Sequence, residues 1–182
     1  MKLWLVRHAR PLVDDGVCYG ASDVPADQAA TLACARALAA ALPQGICVLT
    51  SPLQRCEQLA LCLRELRPDL VPLRDARLAE MDFGCWEKQR WDAIAQSAFD
   101  QWMAQFGDWR FGGCESVHEV LKRTAAVLAD TAQQADEAVW ITHAGIIRCM
   151  SLLAQGITHI ERADQWPVDV PGFGQWRQLQ LA

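Results

Sequence analysis

Apolar residues fall along this chain in short continuous runs, separated by longer segments whose apolar positions recur at helical spacing. That alternation builds an α/β architecture with buried strands. Leu3 to Val6 is the first run, and it ends abruptly in Arg7, His8 and Arg10 before Pro11. It predicts a strand whose carboxyl end carries the polar chemistry. A long turn-rich loop, Leu12 to Asp27, leads into an Ala-rich segment from about Asp27 to Leu42, with Leu32, Leu38 and Leu42 at helical spacing and Pro43 and Gly45 closing it. Ile46 to Leu49 predicts a second strand running into Thr50-Ser51-Pro52. There a helix is expected with Ser51 as N-cap and Pro52 at the first helical position, continuing to about Leu66. Leu70 to Leu73 predicts a short third strand.

The stretch from about Asp75 to Gly113 differs in texture. It holds Trp86, Trp91, Trp102 and Trp109 together with Phe83, Phe99, Phe106 and Phe111, a density that suggests a lid or a satellite core built on short helices. An amphipathic helix is predicted from Glu115 to about Gln134, with Val117, Val120, Leu121, Val127 and Leu128 broadly on one face. Ala138 to Ile141 predicts a strand ending in Thr142-His143-Ala144-Gly145, followed by a helix from Ile146 to Leu153 and a last strand from Gln175 to Leu181. No internal repeat or low-complexity linker interrupts the chain. The pattern predicts one α/β domain over residues 1–182 with a mid-chain aromatic insertion at about 75–113.

Composition narrows the function. The chain has 182 residues, 52% hydrophobic and 21% charged, with a net charge of −5, so no basic face is expected for nucleic acid and any anion must meet a local Arg cluster. No apolar run approaches the roughly 18 residues of a membrane span, and no signal peptide is visible. The eight cysteines form no C-x-x-C pair, which disfavours zinc and disulfide frameworks; a reducing cytoplasm is the expected setting. If the sheet is mostly parallel, the three strand ends place Arg7, His8, Ser51, Arg55 and His143 along one edge. Such a set suits a phosphate group: Arg forks for its oxygens, a helix N-terminus, and two histidines to attack phosphorus and to meet developing charge.

Four stretches in order carry a resemblance: Leu5-Val6-Arg7-His8; Thr50-Ser51-Pro52-Leu53-Gln54-Arg55-Cys56-Glu57; Glu80-Met81-Asp82-Phe83-Gly84-Cys85-Trp86-Glu87; and Thr142-His143-Ala144-Gly145. Through them the chain resembles the histidine phosphatase superfamily. The resemblance implies a three-layer α/β/α sandwich with a mostly parallel central sheet, like that of phosphoglycerate mutase, and no metal or cofactor. It implies His8 as the nucleophile that becomes phosphorylated, Arg7 and Arg55 as phosphate clamps, His143 as the second histidine, Glu80 as proton donor and Ser51 as a support. Trp86, beside the Glu80 motif, is expected to line the pocket; Asp82 and Glu87 are read as structural or solvated, and His118 and His159 as surface or helix residues. Ala9 stands where relatives keep glycine, so its methyl is expected to crowd the phosphate or narrow the backbone.

Cys18-Tyr19-Gly20-x-x-Asp23-x-Pro25, together with Asp82-Phe83-Gly84-x-Trp86-Glu87, is most similar to the α-ribazole phosphatase branch, which implies α-ribazole 5'-phosphate as the small phosphorylated substrate. The alternatives are a broad-specificity sugar or carboxylic-acid phosphate phosphatase or mutase, and a weakly active phosphate-ester binding module because of Ala9. Whether the chain forms a homodimer is left open.

Overall fold

A computed structural model describes residues 1–181. Its centre is a five-stranded sheet in the order β3-β2-β4-β1-β5. The strands are β1 (Lys2–Arg7), β2 (Cys47–Thr50), β3 (Leu73–Arg74), β4 (Glu137–Thr142) and β5 (Trp176–Gln180). The first four run parallel, and β5 pairs antiparallel with β1 at the edge. The helices are α1 (Gln28–Ala41), α2 (Gln54–Leu66), α3 (Gln96–Ala104), α4 (Val117–Gln134) and α5 (Ala144–Leu153).

Both faces of the sheet are covered, which is why the strands read as unbroken apolar runs rather than alternating ones. Leu3, Leu5, Ala138 and Trp140 face a core shared with α4 and α5. Trp4, Val6, Val139 and Ile141 face the opposite core with α1 and α2. Two helix starts are built by side chains close in sequence: Asp27 accepts from the Ala30 amide ahead of α1, and Ser116 forms a reciprocal capping box with Glu119 ahead of α4.

Two predicted boundaries are corrected. β3 is Leu73–Arg74, not Leu70 to Leu73, and pairs only as Leu49 with Leu73 and Thr50 with Arg74. Pro72 has no amide for the ladder, so pairing begins beyond it, while Leu70 turns into the core. The second helix begins at Gln54 with Leu53 at its cap position, so neither Ser51 as N-cap nor Pro52 as first helical residue holds. The Gln54 amide donates instead to Asp23 Oδ1, 2.6 Å away on the long loop. That partner, 31 positions upstream, carries no local sequence signal, and it takes an amide that was expected to face an anion.

The aromatic stretch forms a satellite core around Phe111, which is fully buried. Trp102 stacks on it at 4.4 Å between ring centres, and Trp86, Trp91 and Phe99 lie within 6.2 Å. Phe106 joins this cluster to the core under α4 and α5.

Candidate active site

Three neighbouring parallel strands end level with one another. Arg7 pairs with Thr142, and Thr50 with Ile141, so the residues that follow, His8, His143 and Ser51, emerge side by side at the carboxyl edge of the sheet. The ladder continues one step further, with the His8 amide donating to Thr142 (3.2 Å) and the Ser51 amide to Ile141 (2.9 Å). The two imidazoles sit 5.0 Å apart centre to centre. His8 is buried, and His143, Ser51 and Arg55 are fully so.

Fixed donors and acceptors decide both tautomers. His8 Nδ1 lies 2.7 Å from the Ala9 carbonyl, which only accepts, so Nδ1 carries the proton and Nε2 holds a free lone pair. Arg55 Nε donates to His143 Nδ1 (3.2 Å), so His143 carries its proton on Nε2 and donates it to Ser51 Oγ at 2.7 Å. Burial, reinforced by the Arg55 charge, pushes His8 down to about 3. The same causes, in the same order, hold His143 well below its ordinary value.

These shifts set a sign for stability. An unfolded chain protonates its histidines near pH 6.5, whereas the folded chain keeps His8 neutral to about 3. Between those values the unfolded state binds more protons, so stability is fully present above about 6.5 and is lost as pH falls through that window. His8→Gln, which cannot take the proton, is expected to reduce the pH 7 to pH 5 loss of unfolding free energy by about 2 kcal/mol. Urea unfolding of both proteins at the two pH values checks this; an undiminished loss in the variant would show that His8 is not held neutral.

Arg55 is committed to the protein on three sides. Besides His143 it donates to the carbonyls of Ser22 (2.8 Å) and Gly20 (2.7 Å), and its guanidinium lies 5.5 Å from the Tyr19 ring. It is first a positioning group for His143, and two of its five N–H donors have no protein partner among the described residues. The loop that receives it is held by Glu87, whose carboxylate accepts from the amides of Gly20, Ala21, Ser22 and Phe83 and from the Ser22 hydroxyl. Gly20 allows the close approach, since a Cβ there would meet the Met81 carbonyl at 1.8 Å. Glu87, read from sequence as structural or solvated, is thus structural and organises the site from behind.

Arg7 lies at the mouth. Its Nη1 donates to Pro171 (3.1 Å), its guanidinium stacks 3.9 Å from the Phe173 ring centre, and its Nε is buried without a partner. Phe173 also approaches the His8 ring, 5.5 Å between centres. It is held there because the Gly174 amide donates to the His8 carbonyl at 3.0 Å. Glu80 closes the other side: its carboxylate accepts from the Gly145 amide in the first turn of α5 (3.0 Å) and from the Met81 amide (3.1 Å).

The sequence candidates Arg7, His8, Ser51, Arg55, Glu80 and His143 therefore gather around one edge. Trp86 does not belong with them: it packs against Phe111 in the satellite core, and the cavity beside Glu80 is walled by Phe83, Trp91, Trp102 and Trp166. Arg10, also at the first strand end, turns out to a surface pair with Asp15. Ala9 is buried without needing glycine's conformational freedom, because Lys88 is the only non-glycine with positive φ among the described residues. Ala9 therefore takes an ordinary conformation, and its methyl brings no backbone strain there.

Sequence reasoning did not place Tyr19 or Phe173 at the site. Phe173, between two glycines just before the last strand, was the one with a visible signal. Among the described residues no three His, Cys, Asp or Glu side chains stand close enough together to hold a metal ion, and no helix is long and apolar enough to cross a membrane.

The profile of the histidine phosphatase superfamily (branch 1) matches residues 3–172. The chain belongs to that superfamily. Among solved structures, a phosphate complex of mycobacterial glucosyl-3-phosphoglycerate phosphatase aligns over 98% of this histidine phosphatase chain and 89% of its own, at 25% identity and a TM-score of 0.80. The protein TTHB049 of Thermus thermophilus aligns over 98% and 93%, at 26% identity and a TM-score of 0.71. A search of curated proteins finds no significant match. The mostly parallel sheet with helices on both faces is thus the fold that this histidine phosphatase shares with its structural neighbours.

Proposed function

We propose that the protein is a metal-independent, cytoplasmic phosphomonoesterase that works through a phosphohistidine at His8, with α-ribazole 5'-phosphate as its substrate. The observation that carries the reaction type is the hydrogen bond from His8 Nδ1 to the Ala9 carbonyl, which leaves a neutral imidazole with Nε2 free to attack. Phosphate is met by the unpartnered Nε of Arg7 and the two remaining donors of Arg55. In the first half-reaction an Nε2–P bond forms, the P–O ester bond breaks, and Glu80 gives its proton to the departing alkoxide. In the second, Glu80 takes a proton from water as that water attacks phosphorus and the N–P bond breaks. Phosphate is released and Glu80 is protonated again.

The substrate reading is supported by the aromatic wall beside Glu80, which suits a nucleotide-like leaving group, and by the stretch Cys18 to Pro25. In that stretch Gly20 and Ser22 hold Arg55 and Asp23 caps α2. The ordinary backbone at Ala9 favours an enzyme over a binding module. The likeness to the mycobacterial glucosyl-3-phosphoglycerate phosphatase supports a second reading, a phosphorylated sugar acid. Phosphate release from α-ribazole 5'-phosphate, glucosyl-3-phosphoglycerate, 3-phosphoglycerate and glycerol phosphate separates them. The highest kcat/KM is expected on the first; a higher value on the second would replace it.

Gly145 gives a test of geometry. A Cβ there would lie 2.2 Å from Glu80 Oε1, and the flexible carboxylate would yield before the helix does. Gly145→Ala is therefore expected to fold, with its Tm within a few degrees of wild type, and to lose roughly tenfold or more in kcat on an alkyl phosphate. Little should be lost in phosphoenzyme formation from 4-nitrophenyl phosphate. Wild-type kcat on the alkyl ester would mean that Glu80 does not act from its present position.

A further inference from the structure

Two cavities border Glu80. One, of about 480 Å³, is lined by Asp82, Glu115 and Glu119 with Arg123, and Arg123 is already paired to Glu115 at 2.7 Å; its surplus of carboxylates repels a phosphate ester. The other, of about 250 Å³, lies against Gly145 and is walled by Phe83, Trp91, Trp102 and Trp166, with Arg148 on α5 as its one cation. A pocket of roughly 150 Å³ admits benzene, so this one has room for a substituted or fused ring. Its shape is rigid, because Trp102 stacks on both Phe111 and Phe106, at 4.4 and 5.3 Å. Arg148 has a buried Nε with no hydrogen-bond partner. Arg77 and Arg123 are held by carboxylates, and Arg148 joins no such pair among the described residues. A buried donor left unpaired against apolar walls is costly, and an acceptor supplied from outside recovers that cost.

We propose that this cavity receives a flat ring carried by the leaving alcohol, and that Arg148 donates to a hydrogen-bond acceptor on that ring. The proposal rests on the phosphatase reading above, because Glu80 lines the cavity and is there the group that protonates the leaving oxygen. The leaving group must then lie on Glu80's side of the phosphate, and of the two spaces on that side only this one has walls that stack on a ring. Arg148 is thereby a specificity residue for the ester rather than a clamp for phosphate.

The test compares three esters: the α-riboside 5'-phosphate of benzimidazole, the same ester of indole, which replaces the acceptor nitrogen by C–H, and ribose 5-phosphate, which has no ring base. Wild type is expected to favour the benzimidazole ester over the indole ester at least tenfold in kcat/KM, with ribose 5-phosphate below both. Arg148→Met is expected to bring the benzimidazole ester down to the indole value, and Arg148→Lys to restore part of the difference. Equal wild-type rates on the two ring esters, or an equal loss on all three esters in Arg148→Met, would overturn the proposal.

Calorimetry of the dephosphorylated nucleosides decides independently of turnover. Tenfold tighter binding of the benzimidazole nucleoside, abolished in Arg148→Met, supports the cavity even if no ester is cleaved. Phosphohistidine formation without that preference leaves the phosphatase standing and removes this assignment.

Discussion

His8→Ala is expected to abolish the phosphoenzyme and to lower kcat/KM by roughly 10⁴-fold or more, the scale on which loss of a nucleophile acts. No neighbour can take over. His143, the other imidazole at the sheet edge, has both ring nitrogens engaged, Nδ1 by Arg55 and Nε2 by Ser51. The thiol of Cys56, 3.5 Å from His143 Nε2, is fully enclosed, and burial raises its pKa, so it stays protonated and unreactive. Rapid quench with a labelled monoester should give acid-labile, base-stable phosphate on the wild type, one per chain, and none on the variant. The variant should fold, since the substitution removes a histidine that is held neutral against its own tendency to protonate. Substantial turnover by His8→Ala, or a phosphoryl group mapped to another residue, would overturn the mechanism.

The second large effect is expected at Glu80 and depends on the leaving group. Gln keeps the shape and an oxygen for the Gly145 amide but has no proton to give. Glu80→Gln should lower kcat on an alkyl phosphate by about 10² to 10⁴-fold, the usual contribution of a positioned acid. With 4-nitrophenyl phosphate the departing oxygen hardly needs a proton, so phosphorylation of His8 should remain fast. Hydrolysis of the phosphohistidine, where Glu80 acts as base, should become slow. A stopped-flow burst of nitrophenolate equal to the enzyme concentration, followed by little turnover, is the signature. Phosphorylation slowed equally with both esters would remove Glu80 from the acid role.

How much of this was legible in the sequence follows from where the information lies. The strand ends were readable because β1, β2 and β4 are continuous apolar runs that stop at polar residues, and parallel pairing then brings those stops level. His8, His143 and Ser51 needed nothing more. The start of α2 is not legible locally because its first amide is capped by Asp23, on a loop that only folding brings near. The place of Trp86 is hidden for a related reason: a tryptophan adjoining Glu80 in sequence can equally face away from it, and the partner that draws it away, Phe111, lies 25 positions downstream. Glu87 acts through amides 65 to 67 positions upstream, and Phe173 reaches Arg7 and His8 from the other end of the chain.

The contacts that run from Glu87 through the loop at residues 20–22 to Arg55, and from there to His143 and Ser51, have a consequence for how the enzyme spends substrate binding energy. The hydrogen bonds along that line are all made within the protein, with only two Arg55 donors left unpaired, so its orientation is settled when the chain folds and does not wait for an ester to arrive. Substitutions at Glu87 should therefore behave as losses of order at a distance. Such a variant would bind phosphate through Arg7, yet would have to arrange its second histidine anew in each catalytic cycle.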